Sequence, residues 1–529
     1  MQPYRRAFVA VALLLASNGL ALAQKRGGVL MMYSVDSPSS MSIHEEATVY
    51  AQGPVMGVFN NLIMFDQNVK QNSLKSIVPD LATAWVWNEN GTALTFTLRQ
   101  GVTWHDGKPF TAADVKCTWD LLIETSSDKL RVNPRRLAYI NLERVSINGD
   151  FAVTFHLKQA QPAFPMLLAS GNSPVYPCHV PAREMRTHPI GTGPFKFAWF
   201  RANESIRVTR NENYWKKDRP FLDGIEYTII RDQATANLAF IAGKFDMTFP
   251  FLLTPQMRNN IMSQSPTAIC ETAPVGGINR LLIINRDNPP FDNPDLRRAM
   301  ALSLDRQAFI DIVAEGDGEI GGVLQPPPGG LWGMNQEQMK DLPGYGPDVK
   351  QNREQARAIM RKLGYGPDNR LKIKVFTRDL SYFKPSAILL IDQLREVWFD
   401  AELDSVETTA FTPRFNRKDF AVGLYGQGSG PDPDPTLALL YGCGSIQNPD
   451  GYCSANMDTL IAQKSAEADP ERRRHMVWAI ERRLAEENAR PILFYSNGGT
   501  CWKPDVKGVT IMSNSIFNGN RREDIWLDR

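Results

Sequence analysis

From Gly191 onward the chain alternates short β-rich runs with helix-length amphipathic runs, and this alternation limits the fold more than any other feature. The texture changes at Gly191 with GTGPFKF, followed by Ile206 to Arg210 and then Ile225 to Ile230, which reads as a β-rich strand. Ala234 to Ala242 reads as a helix ended by Gly243, and Phe245 to Phe249 as a further strand. The pattern restarts near Leu281, where RLLIIN is a buried-strand run. Asn293-Pro294 then opens a helix whose apolar positions Leu296, Met300, Leu304 and Ile312 run to Gly316. Asn352 to Leu363, Ala387 to Val397 and a charged stretch from Asp469 to about Glu487 predict helices; Lys372 to Phe376 and Ala401 to Val406 predict strands. Strands alternating with helices predict an α/β architecture of mixed β-sheets flanked by helices. At 529 residues the chain exceeds what one hydrophobic core supports, so at least two lobes are expected.

The region before Gly191 has a different texture. Trp85 to Trp87 and Leu94 to Leu98 alternate apolar or β-branched residues with smaller or polar ones, and Asn88-Glu89-Asn90-Gly91 between them is turn chemistry, so this is a β-hairpin. Thr111 stands three residues before Asp114, ahead of Val115, Trp119 and Leu122, a capping-box variant opening an amphipathic helix. Gly28 to Val35 is an apolar run of strand length that turns at Asp36-Ser37-Pro38-Ser39-Ser40, a plausible ligand-lining edge.

Arg5 and Arg6, the apolar run Ala7 to Leu20 and the small-x-small site Ala21-Leu22-Ala23 form a secretory signal peptide over 1–23. Removing it takes away two basic residues and leaves 57 basic against 57 acidic side chains, a neutral chain that speaks against a nucleic-acid partner. A soluble, extracytoplasmic protein is expected. In an oxidising compartment Cys443 and Cys453, flanking GSIQNPDGY, form the best candidate bridge. Cys117 falls within an amphipathic helix and reads as core; Cys178, Cys270 and Cys501 receive no assignment.

Catalytic patterns fail one by one. Gly316 to Gly321 satisfies GxGxxG but follows a helix and runs into Pro326-Pro327-Pro328, so no phosphate-facing helix can start there. His44-Glu45-Glu46 lacks the second His of a zinc pair, six scattered His make no metal cluster, and GQGSG at 426–430 places its Ser wrongly for a nucleophile elbow. No catalytic residue, metal or cofactor is expected. The loop Gly428-Ser429-Gly430-Pro431-Asp432-Pro433-Asp434-Pro435 presents two carboxylates on a proline-stiffened, extended segment, which suits capture of an ammonium group; a solvated turn is the plainer reading.

Pro79-x-Leu81-Ala82-x-x-Trp85, Trp104-His105-Asp106-Gly107, Thr111-Ala112-x-Asp114-Val115, Gly191 to Phe195, Arg210-Asn211-x-x-Tyr214-Trp215, Gly243-x-x-Asp246 and Pro290-Phe291 through Asp305-Arg306 occur in order. Together they resemble the peptide, dipeptide and nickel class (family 5) of extracellular solute-binding proteins that serve ABC importers. The resemblance implies a two-lobed periplasmic binding protein of type II with an extra inserted domain and a ligand cleft between the lobes. It places a first lobe at 24–50, 185–275 and 485–529, the inserted domain at 51–184 and the second lobe at 276–484. It implies a periplasmic monomer that delivers a short peptide or peptide-like solute to a membrane permease with its ATPase. An opine, an oligosaccharide or a nickel chelate is the alternative solute; a secreted hydrolase or a sensory receptor is the alternative of another class.

In peptide-binding relatives an Asp of a Trp-x-x-Asp loop meets the ligand's α-amino group. Here that loop lacks the Trp, leaving Asp432 or Asp434, with Ser429 and Gly430 beside them, or else a ligand that is not an ordinary peptide. Arg378 aligns with an Arg that meets a ligand carboxylate. Tyr33 and Ser39 match the first-lobe edge of the cleft.

Overall fold

The computed structural model describes residues 24–529 except 381, 429, 516 and 517, so the signal peptide and Ser429 lie outside the described residues. Three sheets organise the chain. In the first lobe Val29–Ser34 pairs in parallel with Gly224–Ile229, which continues antiparallel through Ser205–Arg210 to Phe195–Arg201. In the second lobe the order is Gly318–Glu319, Ile492–Trp502, Ile269–Ile284, Val422–Gln427, Leu371–Arg378, Phe399–Val406. A third body carries an antiparallel sheet, Ala82–Trp87, Ala93–Leu98, Ala152–Leu157, Leu142–Ile147, around a core that includes Trp104, Trp119 and Phe155.

Local chemistry explains the elements that sequence predicts. Asn88 closes the hairpin by accepting the amides of Thr92 and Ala93 at 2.9 Å each, and Gly91 takes the left-handed φ of 65° that the turn requires. Thr111 and Asp114 form the expected capping box at the head of Ala112–Leu122. Elsewhere the structure differs. The long helix expected from Pro294 to Gly316 breaks into Pro294–Ser303 and Arg306–Val313, because Asp305 turns to cap the second, accepting the amide of Ala308 at 3.0 Å. Phe245 to Phe249 contributes only isolated bridges, from Met247 to Met32 and Trp502.

Two long strands cross between the lobes. Ile269 to Pro274 pairs with Trp502 to Asn497 beside the first lobe, while Asn279 to Ile284 belongs to the second-lobe sheet; the register shifts between Pro274 and Asn279. Cys270 and Cys501 face each other across this ladder and are bonded. Cys117–Cys178 and the anticipated Cys443–Cys453 are also bonded, so Cys117, read as simple core, is a bridge residue. By loop-closure entropy the Cys270–Cys501 link, spanning 231 residues, is worth about 5 kcal/mol against about 3 for the ten-residue Cys443–Cys453 loop.

The acidic loop is not an extended presenter of carboxylates. Pro433 and Pro435 occupy the first turn of a helix, Pro433–Tyr441, and Asp432 is its N-cap, accepting the amide of Asp434 at 2.9 Å. Both carboxylates are buried. Arg473, from the helix Pro470–Glu486, bonds Asp432 at 2.7 and 2.8 Å and Asp434 at 2.7 Å. Lys464, from Ala455–Ala466 and itself fully buried, pairs with Asp434, and Gln161 of the third body donates to Asp434 at 2.8 Å. Burial works against the Asp434 anion, but Lys464 and Arg473 outweigh it and hold the carboxyl well below the usual carboxylate range. The expectation that Asp432 or Asp434 waits for a ligand ammonium is therefore corrected: their counter-ions belong to the protein.

Two outcomes are expected. Non-reducing peptide mapping of exported protein should find all three disulfides and no free thiol; a free Cys270 would remove the cross-strand link. Asp434→Ala should lower stability in urea by about 3–5 kcal/mol at pH 7, because Lys464 would be left buried without its anion. The depressed Asp434 pKa contributes stability above the unfolded value near about pH 4 that is lost as pH falls below it, so the deficit should narrow in acid. A loss under about 1 kcal/mol at pH 7 would show that the cluster is not what fastens these helices.

Candidate ligand cleft

Where the first-lobe loop after Val29–Ser34 meets the second lobe, buried charges stand without the partners that Asp432 and Asp434 enjoy. Asp36 is 3% exposed; one oxygen accepts the amide of Ser37 at 2.9 Å and the other, Oδ2, has no hydrogen-bond partner. Burial raises its pKa, opposed by Thr408, the Ser37 amide and the guanidinium groups of Arg378 and Arg231.

Arg378 ends the strand Leu371–Arg378. Its guanidinium lies 4.8 Å from the centroid of the Phe411 ring and 5.5 Å from that of Tyr425, with Nε unpartnered. Arg280 projects from the crossing strand Ile269–Ile284, 3.4 Å over the Tyr382 ring; Nη2 donates to the Tyr382 carbonyl at 3.3 Å, while Nε and Nη1 have no acceptor. Among the described residues neither arginine has a carboxylate within 4.0 Å. Across the lobes Arg231 pairs with Glu407 at 3.2 Å, both largely exposed.

Beside this cluster lies a cavity of about 860 Å³, open mouth included, where all three bodies meet. Its walls include Gln52 of the helix Val49–Val55, Arg135 and Tyr139 of the third body, and Gln427, Gly430 and Thr436 of the second lobe. Arg135 is fixed by donating to the carbonyls of Ile43, His44 and Glu46 at 2.8, 3.2 and 2.6 Å, so it braces the wall. Gln52 is 1% exposed and its Oε1 has no partner.

The structure thus sorts the residues singled out from sequence. Arg378 lies within electrostatic reach of Asp36 at the lobe junction, and Gly430 and Asp432 are among the residues lining the cavity. Ser39 is exposed at the tip of the first-lobe loop. Tyr33 is 2% exposed and packs edge-on against Phe245 at 5.5 Å, so its ring is first-lobe core. Sequence reasoning missed Asp36, Arg280 and Gln52. Asp36 lay in a loop already marked as a cleft edge, and Arg280 had a signal of its own, a charged residue heading the apolar run Leu281 to Ile284. Among the described residues no group of His, Cys, Asp and Glu is placed to hold a metal, and no helix is long and apolar enough to cross a membrane.

Residues 76–448 match the family model for bacterial extracellular solute-binding proteins, family 5, middle region. The chain is 26% identical over 491 residues to the di/tripeptide-binding protein 3 of Pseudomonas aeruginosa, with 88% of each chain covered. Its fold is similar to that of the periplasmic binding protein DppA of Helicobacter pylori, solved with the peptide STSA, at a TM-score of 0.83 and 20% identity over 96% of this chain and 99% of that one. It is likewise similar to the oligopeptide-binding protein AppA of Bacillus subtilis, solved with a nonapeptide, at a TM-score of 0.82 and 21% identity over 96% of this chain and 100% of the other. With two lobes joined by crossing strands, a third body beside them and a family match spanning most of its length, the chain belongs to the family 5 bacterial extracellular solute-binding proteins.

Proposed function

We propose that the protein is the periplasmic receptor of an ABC importer, closing its lobes on a short peptide or peptide-like zwitterion and delivering it unchanged to the permease and its ATPase. The observation that carries this reading is a pair of opposite charges from the two lobes, Asp36 and Arg378, each buried and each with an unpartnered polar atom. A ligand with an ammonium at one end and a carboxylate at the other satisfies both, and only when the lobes are together. The peptide-binding relatives support the ligand class. Three disulfides support an oxidising compartment outside the cytoplasm. In this reading Asp36 takes the ammonium role that sequence assigned to Asp432 or Asp434, and Arg378 keeps the carboxylate.

The test is a thermal-shift and calorimetric screen of residues 24–529 against di- and tripeptides. A peptide at about 100 times its dissociation constant should add roughly 2.7 kcal/mol of stability, visible as a raised Tm. Arg378→Ala should weaken the best peptide by about 2–5 kcal/mol, roughly 30-fold or more, in a protein whose circular dichroism is unchanged. Unaltered affinity would remove Arg378 from the site, and a screen in which no peptide shifts Tm would overturn the peptide reading.

A further inference from the structure

The unsatisfied polar atoms at the lobe junction do more than mark a cleft; their charges do not balance. Asp36 Oδ2, Arg280 Nε and Nη1 and Arg378 Nε have no well-formed hydrogen bond; the nearest polar side chains, the hydroxyls of Thr408 beside Asp36 and of Tyr382 beside Arg280, are neutral. They surround one point of the fold. Tyr50, in the first-lobe helix Val49–Val55, lies within electrostatic reach of Asp36, Arg378, Tyr382 and Arg280 together, and Thr408 reaches Asp36. Of the charged groups there, two are guanidiniums and one is a carboxylate. The neighbouring Arg231 and Glu407 neutralise each other at 3.2 Å, and among the described residues no further acid approaches either buried arginine within 4.0 Å.

Arg280 is 2% exposed, and a buried cation without an anion is expensive unless something arrives to neutralise it. Stacking on Tyr382 and one long bond to a carbonyl hold the guanidinium in place but bring no negative charge. A simple zwitterion does not bring it either: its ammonium answers Asp36, its carboxylate answers Arg378, and Arg280 is left over. A ligand with a second acidic group closes the balance.

We propose that Arg280 forms a second anion subsite in the cleft, so that the preferred ligand carries one ammonium and two carboxylates, as in an acidic dipeptide or a related amino dicarboxylate. This rests on the cleft being the solute site, and it narrows the ligand from neutral peptides to net-anionic ones. Arg280 is a specificity-determining residue that touches the ligand's second acid. Its two free N–H-bearing nitrogens are the donors.

The test compares Ala-Glu with its near-isostere Ala-Gln by calorimetry on residues 24–529 at pH 7, alongside N-(carboxymethyl)alanine, which has two carboxylates and an ammonium but no peptide bond. Wild-type protein should bind Ala-Glu about tenfold or more tightly than Ala-Gln, since a charge-assisted bond replaces a neutral one. In Arg280→Met the ratio should collapse to about one. Arg280→Lys, which keeps the charge, should retain a preference; Arg280→Gln serves as the second neutral variant if the Met variant does not fold. Equal wild-type affinities for the two dipeptides, or a preference that survives in both neutral variants, would overturn the subsite while leaving peptide binding intact. If neither dipeptide binds but N-(carboxymethyl)alanine does, and the neutral variants lose it, the peptide reading falls and the second subsite stands. Failure of all three ligands overturns both.

Discussion

The structure depends on one ladder of backbone hydrogen bonds, that between Ile269–Ile284 and Ile492–Trp502. These strands lie far apart in sequence, yet they are the continuous backbone between the first-lobe side and the second-lobe sheet. Their register is pinned beside the first lobe by Cys270–Cys501 and slips between Pro274 and Asn279. A register shift interrupts the ladder, so that is where the pair bends most easily. The disulfide ties the two strands together on the first-lobe side of that shift, so any bending of the pair falls on the second-lobe side of the link.

Buried charge in this protein falls into two kinds, and the distinction separates scaffold from site. Around Asp432 and Asp434 the cations Arg473 and Lys464 lie within bonding distance, from two helices that also share a buried apolar cluster with Pro433–Tyr441. Arg521 with Asp80, and Arg490 with Asp450, repeat the arrangement elsewhere at 2.9 Å. Such pairs position elements, and each carboxylate there already has a protein cation. Asp36, Arg280 and Arg378 are as buried but incompletely satisfied.

Much of the fold was legible in the chain because its signals are local. A hairpin needs Asn88 and Gly91, a helix start needs Thr111 with Asp114, and both are read within a few residues. The α/β alternation followed from periodicity and the two-lobed arrangement from resemblance. What local reading misses is pairing over distance. The partners of Cys270 and Cys117 lie 231 and 61 residues away, and nothing near either says so. The acidic loop misled for the same reason: two Asp among prolines look exposed until Arg473 and Lys464, 41 and 30 residues on, are folded against them. Arg378 was singled out by resemblance to the family's carboxylate-meeting arginine, whereas Asp36 and Arg280 become notable through what surrounds them and fails to bond them.

The unpartnered atoms bear on the receptor's conduct when empty. Every polar group enclosed without a partner costs about 1–3 kcal/mol relative to the same group in water, and several are enclosed at once where the lobes meet. The exposed Arg231–Glu407 contact across the lobes returns at most about 1 kcal/mol, less in salt. On the proposed reading, bringing the lobes together without a solute is uphill by more than that contact offsets. The empty cleft then favours separated lobes, so a permease that recognised the closed form would meet it with solute inside: the unsatisfied cleft would act as a proofreading step ahead of transport.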